Sequence, residues 1–231
     1  MPNIPDRSQC KTSRPQHEDL LAQAVTVAAI AVACASGPAQ AQSGKLGAYT
    51  GTINVSGTDI SPKVAYSARV KVSLPITERE GSSVTAEFLG GEAPNATVLI
   101  SQWDMSYKET SADSDGKFSS WTCSLAAPAE ISMTATGVLN VDLKAKKHAL
   151  SLTLLSTSDL AFNCAHSRSG PFKKKQGVSL YIGTGAPGAH YETQLPFADA
   201  ARLTASYTLK PTAADKEHGP IIQTWDLSAT R

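Results

Sequence analysis

Residues 131–143 read Ile-Ser-Met-Thr-Ala-Thr-Gly-Val-Leu-Asn-Val-Asp-Leu, and their alternation decides the fold class. The odd positions Ile131, Met133, Ala135, Gly137, Leu139, Val141 and Leu143 are apolar or small. The even positions Ser132, Thr134, Thr136, Asn140 and Asp142 are polar, with Val138 the exception. A strand sends alternate side chains to opposite faces, so this stretch is expected to be half-buried, with one apolar face. A register slip of one residue would turn that whole face to water, which fixes the pairing firmly.

The same alternation continues outward. His148 to Leu155 repeats it through Leu150, Leu152 and Leu154, and 144–147 between the two runs reads as a hairpin turn. Tyr49, Gly51, Ile53 and Val55 alternate with Thr50, Thr52, Asn54 and Ser56. Tyr66, Ala68, Val70, Val72 and Leu74 alternate with Ser67, Arg69, Lys71 and Ser73. Shorter strands are expected at 84–89, 97–107, 117–125, 160–166, 178–182, 202–209 and 221–229. Gly90, Gly91, Asp115, Gly116 and Gly188 supply turn chemistry between them, since glycine accepts positive φ at little cost. The one helical stretch expected is the short segment 197–202.

Many closely spaced strands of this kind predict an all-β, antiparallel β-sandwich, with a soluble β-barrel as the alternative. A membrane barrel fits less well, because aromatic residues make up only 6% of the chain and two interfacial girdles need more. Two segments are also alike. Ile100, Trp103, Asp104 and Ser106 match Ile222, Trp225, Asp226 and Ser228, and 51–55 resembles 137–141. This is the pattern of an internal duplication giving two β units, about 49–110 and 137–229.

The first 41 residues read as an export signal. Arg7, Lys11 and Arg14 precede an apolar run from Leu20 to Ala35, and Ala39-Gln40-Ala41 is a small-x-small cleavage site. A helix over that run would span about 24 Å, short of the roughly 30 Å hydrocarbon core, so no stable membrane span is expected after processing. The expected products are a signal peptide, 1–41, and an all-β domain, 42–231. The alternative exit is lipoprotein processing, with the chain anchored at Cys34. Localisation is accordingly periplasmic or secreted.

Charge and cysteine content agree with this. Removing 1–41 takes away three basic and three acidic residues, so 18 basic and 17 acidic remain and the net charge stays at +1. That balance gives no general attraction to nucleic acid. Cys123 and Cys164 form an even pair in a chain bound for an oxidising compartment, and a disulfide between them is expected.

Catalytic chemistry is not recognisable. Gly183-Thr184-Gly185-Ala186-Pro187-Gly188 has dinucleotide-loop spacing, but 189–196 shows no helical period to hold a pyrophosphate, so it reads as a loop. Ser111, Asp113, Asp115 and Gly116 resemble the start of a calcium loop, yet position twelve is Thr122 rather than an acid, so a hairpin turn is expected. The histidines His148, His166, His190 and His218 have no partners at metal-ligand spacing, and neither cofactor nor metal is expected. Trp103, Trp121 and Trp225 read as core, with Trp121 on the same strand face as Cys123.

Lys173, Lys174 and Lys175 read as a basic flexible loop suited to a phosphate, an acidic glycan or a lipopolysaccharide headgroup, with Tyr181 as a further candidate ligand contact. The functional expectation is an exported, non-enzymatic protein with a binding or envelope role, its partner an envelope component or glycan. The alternatives are a hydrolase with its residues gathered from separate loops, and a lipocalin-like carrier of an apolar ligand.

Overall fold

A computed structural model describes residues 47–60, 63–89, 95–108, 116–185, 192–210 and 218–230. The proposed signal peptide with Cys34, and Gly90, Gly91, Ser111, Asp113, Asp115, Gly188, His190 and Tyr191, lie outside the described residues.

The described residues form thirteen strands and no helix. In chain order they are β1 (Ala48–Ile60), β2 (Lys63–Glu80), β3 (Ser83–Leu89), β4 (Ala96–Lys108), β5 (Ser120–Leu125), β6 (Ala129–Asp142) and β7 (Lys147–Ser156). β8 (Leu160–His166), β9 (Gly170–Gln176), β10 (Ser179–Gly183), β11 (Leu195–Pro196), β12 (Arg202–Leu209) and β13 (His218–Thr230) follow. All pair antiparallel in one sheet.

Several strands lie end to end. β2 pairs with β4 through Lys63–Lys71 and with β3 through Ile76–Glu80, so β3 and β4 share one row. β5 and β6 share the next row, beside β4. β7 and β8 follow, and then β9, β10 and β11. Single rows β1, β2, β12 and β13 with these four composite rows make eight.

Asn95 repairs the break between β3 and β4. Its Nδ2 donates to Ala135 O at 2.9 Å, and Ala135 N donates to its Oδ1 at 2.6 Å. The side-chain amide thus takes the place of the missing strand peptide, so the buried edge of β6 keeps its hydrogen bonds.

One face of the sheet is apolar and buried almost throughout, as the alternation predicted. In β6, Met133, Ala135, Leu139 and Val141 are buried while Thr136 and Asn140 are exposed. Leu143 departs from the expected face and is exposed, because the turn has already begun: Asp142 Oδ1 accepts Lys144 N and Ala145 N. In β2 seven alternate residues from Val64 to Ile76 are buried. In β4 the buried set shifts from Ala96, Val98 and Ile100 to Trp103 and Met105 across a bulge opposite Ser67 and Ala68. The extra residue resets the parity.

With no helix among the described residues to cover it, an apolar face this large is covered by the sheet itself. The two ends of the row order, β12 and the β9–β10–β11 row, are joined in sequence by only the five residues 197–201. The sheet therefore folds over, and its halves enclose one interior containing Ile53, Val70, Ile100, Leu139, Leu152 and Leu227, all fully buried. No strand ladder joins the two ends among the described residues. Side chains of β13, the neighbour of β12, reach across instead. Gln223 on β13 exchanges two hydrogen bonds with Gly183 on β10, and Trp225 Nε1 donates to His148 Nε2 on β7 at 3.0 Å.

The expected helix at 197–202 is a turn. Asp199 Oδ1 accepts Ala201 N at 2.8 Å and Asp199 O accepts Arg202 N at 3.2 Å. Six residues are too few to repay helix nucleation, and a local carboxylate offers the backbone a cheaper partner.

Candidate functional site

The end of the sheet built from the last residues of β4 with β5, β8 and β9 carries the most distinctive surface. Cys123 on β5 and Cys164 on β8 face each other in register, both buried, and form the expected disulfide across 41 residues. Around them Met105 and Phe162 continue the apolar face. One step further along the same face the cover runs out. Tyr107 pairs with Trp121, Trp121 with His166, and Phe172 with Cys164. Tyr107 is 36% exposed, Phe172 40%, and nearby Phe118 52%.

These rings are organised. The Tyr107 and Trp121 centroids are 5.9 Å apart with planes tilted by 32°. Lys174 Nζ lies 5.3 Å from the Trp121 centroid, and Lys108 Nζ lies 5.6 Å from that of Phe118. Both ammonium groups sit where the ring quadrupole attracts a cation. Gln176 Nε2 reaches Met105 Sδ at 3.1 Å behind them. The β8–β9 hairpin is closed by His166, whose Nδ1 accepts the backbone N–H of Arg168 and of Ser169 at 3.3 Å each, so this histidine has a structural use. Arg168 Nη2 donates to Lys117 O at 2.6 Å, and Ser167 N donates to Ser120 O, tying that hairpin to the start of β5.

Basic residues gather here beside Asp104 of β4, which pairs with Ser124 of β5. Segments 116–129 and 160–176 contain Lys117, Arg168, Lys173, Lys174 and Lys175 and no aspartate or glutamate. Against a chain total of +1, these five leave −4 for everything else (1 − 5). Glu109, Asp113 and Asp115 lie between β4 and β5 in sequence, outside the described residues.

The expected basic loop is a strand. Lys173, Lys174 and Lys175 lie on β9, paired with Asn163, Phe162 and Ala161 of β8. Alternation puts Lys174 on the aromatic side and Lys173 and Lys175 on the other, exposed. β9 was not anticipated because it is an edge strand beginning Gly170-Pro171 and carries no buried face. Edge lysines also discourage pairing with another chain. Tyr181 does not join this group. It lies on β10, six residues or about 20 Å of extended chain from Lys175, and its hydroxyl donates to Gly185 O at 2.7 Å. Burial pushes its phenol above the usual range, and Ser151 and Glu192 are its neighbours.

Phe118, Phe172 and Tyr107 were missed as site residues. The available signal was their placement: aromatics at strand ends, each within two residues of a lysine.

Elsewhere, Trp103 and Trp225 are buried, as expected of core tryptophans, whereas Trp121 is only half-buried. His148 is fully buried. Gly183 ends β10, and Thr184 N donates to Leu150 O, so the first residues of the glycine-rich segment belong to the sheet. No group of three described His, Cys, Asp or Glu side chains is placed to hold a metal ion. No described helix is long and apolar enough to cross a membrane.

Fold and surface together define a disulfide-braced, all-β antiparallel protein with an exposed aromatic and lysine-bearing face. Comparison with family models, curated proteins and solved structures found no match to the chain.

Proposed function

We propose that this is an exported, non-enzymatic binding protein of the cell envelope or surface, and that the face around Trp121 is where it binds. The observation that carries this reading is the set of rings left uncovered at the disulfide-braced end: Tyr107, Phe118 and Phe172, with Trp121 half-buried among them. Uncovered aromatic side chains cost solubility and contribute little to the core, so a cluster of them held in place by a covalent brace is best explained by a partner. The disulfide and the leader sequence support export.

Fractionation of the native host tests this. The chain should be found outside the cytoplasm, beginning at Gln42 and retained on envelope or surface material. A Trp121→Ala, Phe172→Ala variant should be exported equally and lose that retention. A cytoplasmic, unprocessed chain, or equal retention of both proteins, contradicts the proposal.

A further inference from the structure

We propose that the seam between β12–β13 and the β7, β10 and β11 group is an acid-released latch: on acidification the two ends of the sheet part there, in a local opening that leaves the strand ladders and the disulfide end intact. This device is independent of the Trp121 face.

Three observations carry it. First, the seam is held by side chains. Gln223 bonds to Gly183, Trp225 to His148, and the Tyr207 hydroxyl donates to Thr193 Oγ1 at 3.3 Å. No strand ladder crosses the seam among the described residues, whereas the other neighbouring rows are laddered together. Parting it breaks these few bonds and no ladder, so it is where opening costs least.

Second, the seam is polar inside. Four polar side chains are buried among the described residues, and three of them, His148, Thr184 and Gln223, are here. Thr184 Oγ1 has no hydrogen-bond partner, and His148 Nδ1 finds only the Leu195 backbone nearby, outside good geometry. Water entering a parted seam satisfies both atoms, which favours the open form relative to parting an apolar contact.

Third, one of the bonds depends on a proton. His148 Nε2 must be bare to accept Trp225 Nε1–H. A second proton on the ring sets two N–H donors against each other at 3.0 Å and buries a positive charge. No counter-charge faces that ring. Its neighbours are Val141 on β6, Leu195 on β11, Phe197 in the following turn and Trp225 on β13. Of the charged groups on these elements, Lys146 and Lys147 are exposed, Asp142 and Asp199 accept backbone N–H groups of their own turns, and Asp226 pairs with Arg202 outside. Glu192, ahead of β11, is bonded to Ser151. Burial holds the imidazole below its ordinary pKa of 6.5, and hydration in the parted seam restores it. The open form thus takes up a proton that the closed form resists, so falling pH favours opening.

Hydrogen exchange of the mature chain, followed by NMR at about pH 7.5 and about pH 5, tests this. Corrected for intrinsic rates, exchange at the Trp225 indole N–H and the Gly183 amide should quicken about tenfold at the lower pH. Amides of the β6–β7 and β5–β8 ladders should stay protected. His148→Gln, whose side-chain oxygen accepts from Trp225 but takes up no proton, should abolish the quickening. Unchanged protection of the seam in wild type at the lower pH overturns the proposal, as does loss of protection across all ladders together. Equal quickening in folded His148→Gln also overturns it. If that variant does not fold, the wild-type contrast between seam and ladders decides alone.

Discussion

Gln223 and Gly183 exchange both hydrogen bonds of a strand rung although they sit on strands that do not pair: Gly183 N donates to Gln223 Oε1 at 2.8 Å, and Gln223 Nε2 donates to Gly183 O at 3.0 Å. Both residues are buried. The edge of β10 that faces the fold's interior would otherwise present an unpaired amide and carbonyl, each expensive without water. A carboxamide has one donor side and one acceptor side, like a peptide group, and it closes the seam where the ladder does not. Asn95 does the same for Ala135 at the β3–β4 break.

Gln223→Leu should therefore destabilise the protein by about 2–4 kcal/mol, because it orphans two buried backbone groups. Gln223→Glu should be at least as damaging, since it buries a charge and removes the donor to Gly183 O. Denaturant midpoints of the two variants check this. Exposed Thr224→Ala next door should shift the midpoint by well under about 1 kcal/mol.

His148 makes the second latch of the seam and should give stability an acid limb. Burial holds its imidazole below its usual pKa of 6.5, and the neutral ring accepts Trp225 Nε1–H at 3.0 Å. Below pH 6.5 the unfolded chain takes up a proton that the folded chain resists. Stability is accordingly complete above that pH and is lost as pH falls from 6.5 through the lowered folded value. Melting temperature measured from pH 7.5 down to 5 should drop more steeply for wild type than for His148→Gln, whose amide oxygen can still accept from Trp225.

Gly137 is the residue of the 131–143 run whose side of the strand has no room. Its φ is 145°, and a Cβ there would overlap the Ser151 carbonyl of β7. Gly137→Ala should cost about 3 kcal/mol from backbone strain and overpacking combined. Gly81, at φ 55° in an open hairpin turn, should cost only about 1 kcal/mol on the same substitution. Thermal denaturation of the pair separates crowding from φ alone.

The Cys123–Cys164 bond closes a long loop, so the chain-entropy argument gives it about 4 kcal/mol of stabilisation. A Cys123→Ala, Cys164→Ala protein should lose about 2–4 kcal/mol in urea. Hydrogen exchange should show its largest increase in β5, β8 and β9 and little change in β1 or β13.

The strands that bury a face were legible because burial enforces period two, as in β2, β6 and β7. The joining of broken strands into shared rows was not, since it depends on which distant edges meet. Asn95 and Gln223 look in sequence like any polar residue between apolar neighbours, and only the missing rungs beside them reveal their use. β9 escaped because an exposed edge strand has no pattern to display. The lysines were noticed for their charge, but their alternation across β9 and the separation of Tyr181 follow from pairing with β8. The aromatic platform is assembled from β4, β9, β5 and the residues just before β5, and no local window contains it.

Trp121 differs from Trp103 and Trp225 in lying at a surface rather than in the core, and fluorescence quenching reads that difference directly. Wild type should contain one tryptophan component quenched readily by iodide and poorly by caesium, because the neighbouring lysines attract the anion, and Trp121→Phe should abolish that component. A wild-type emission that neither ion quenches, or one that caesium quenches better than iodide, would contradict an open, positively charged aromatic face.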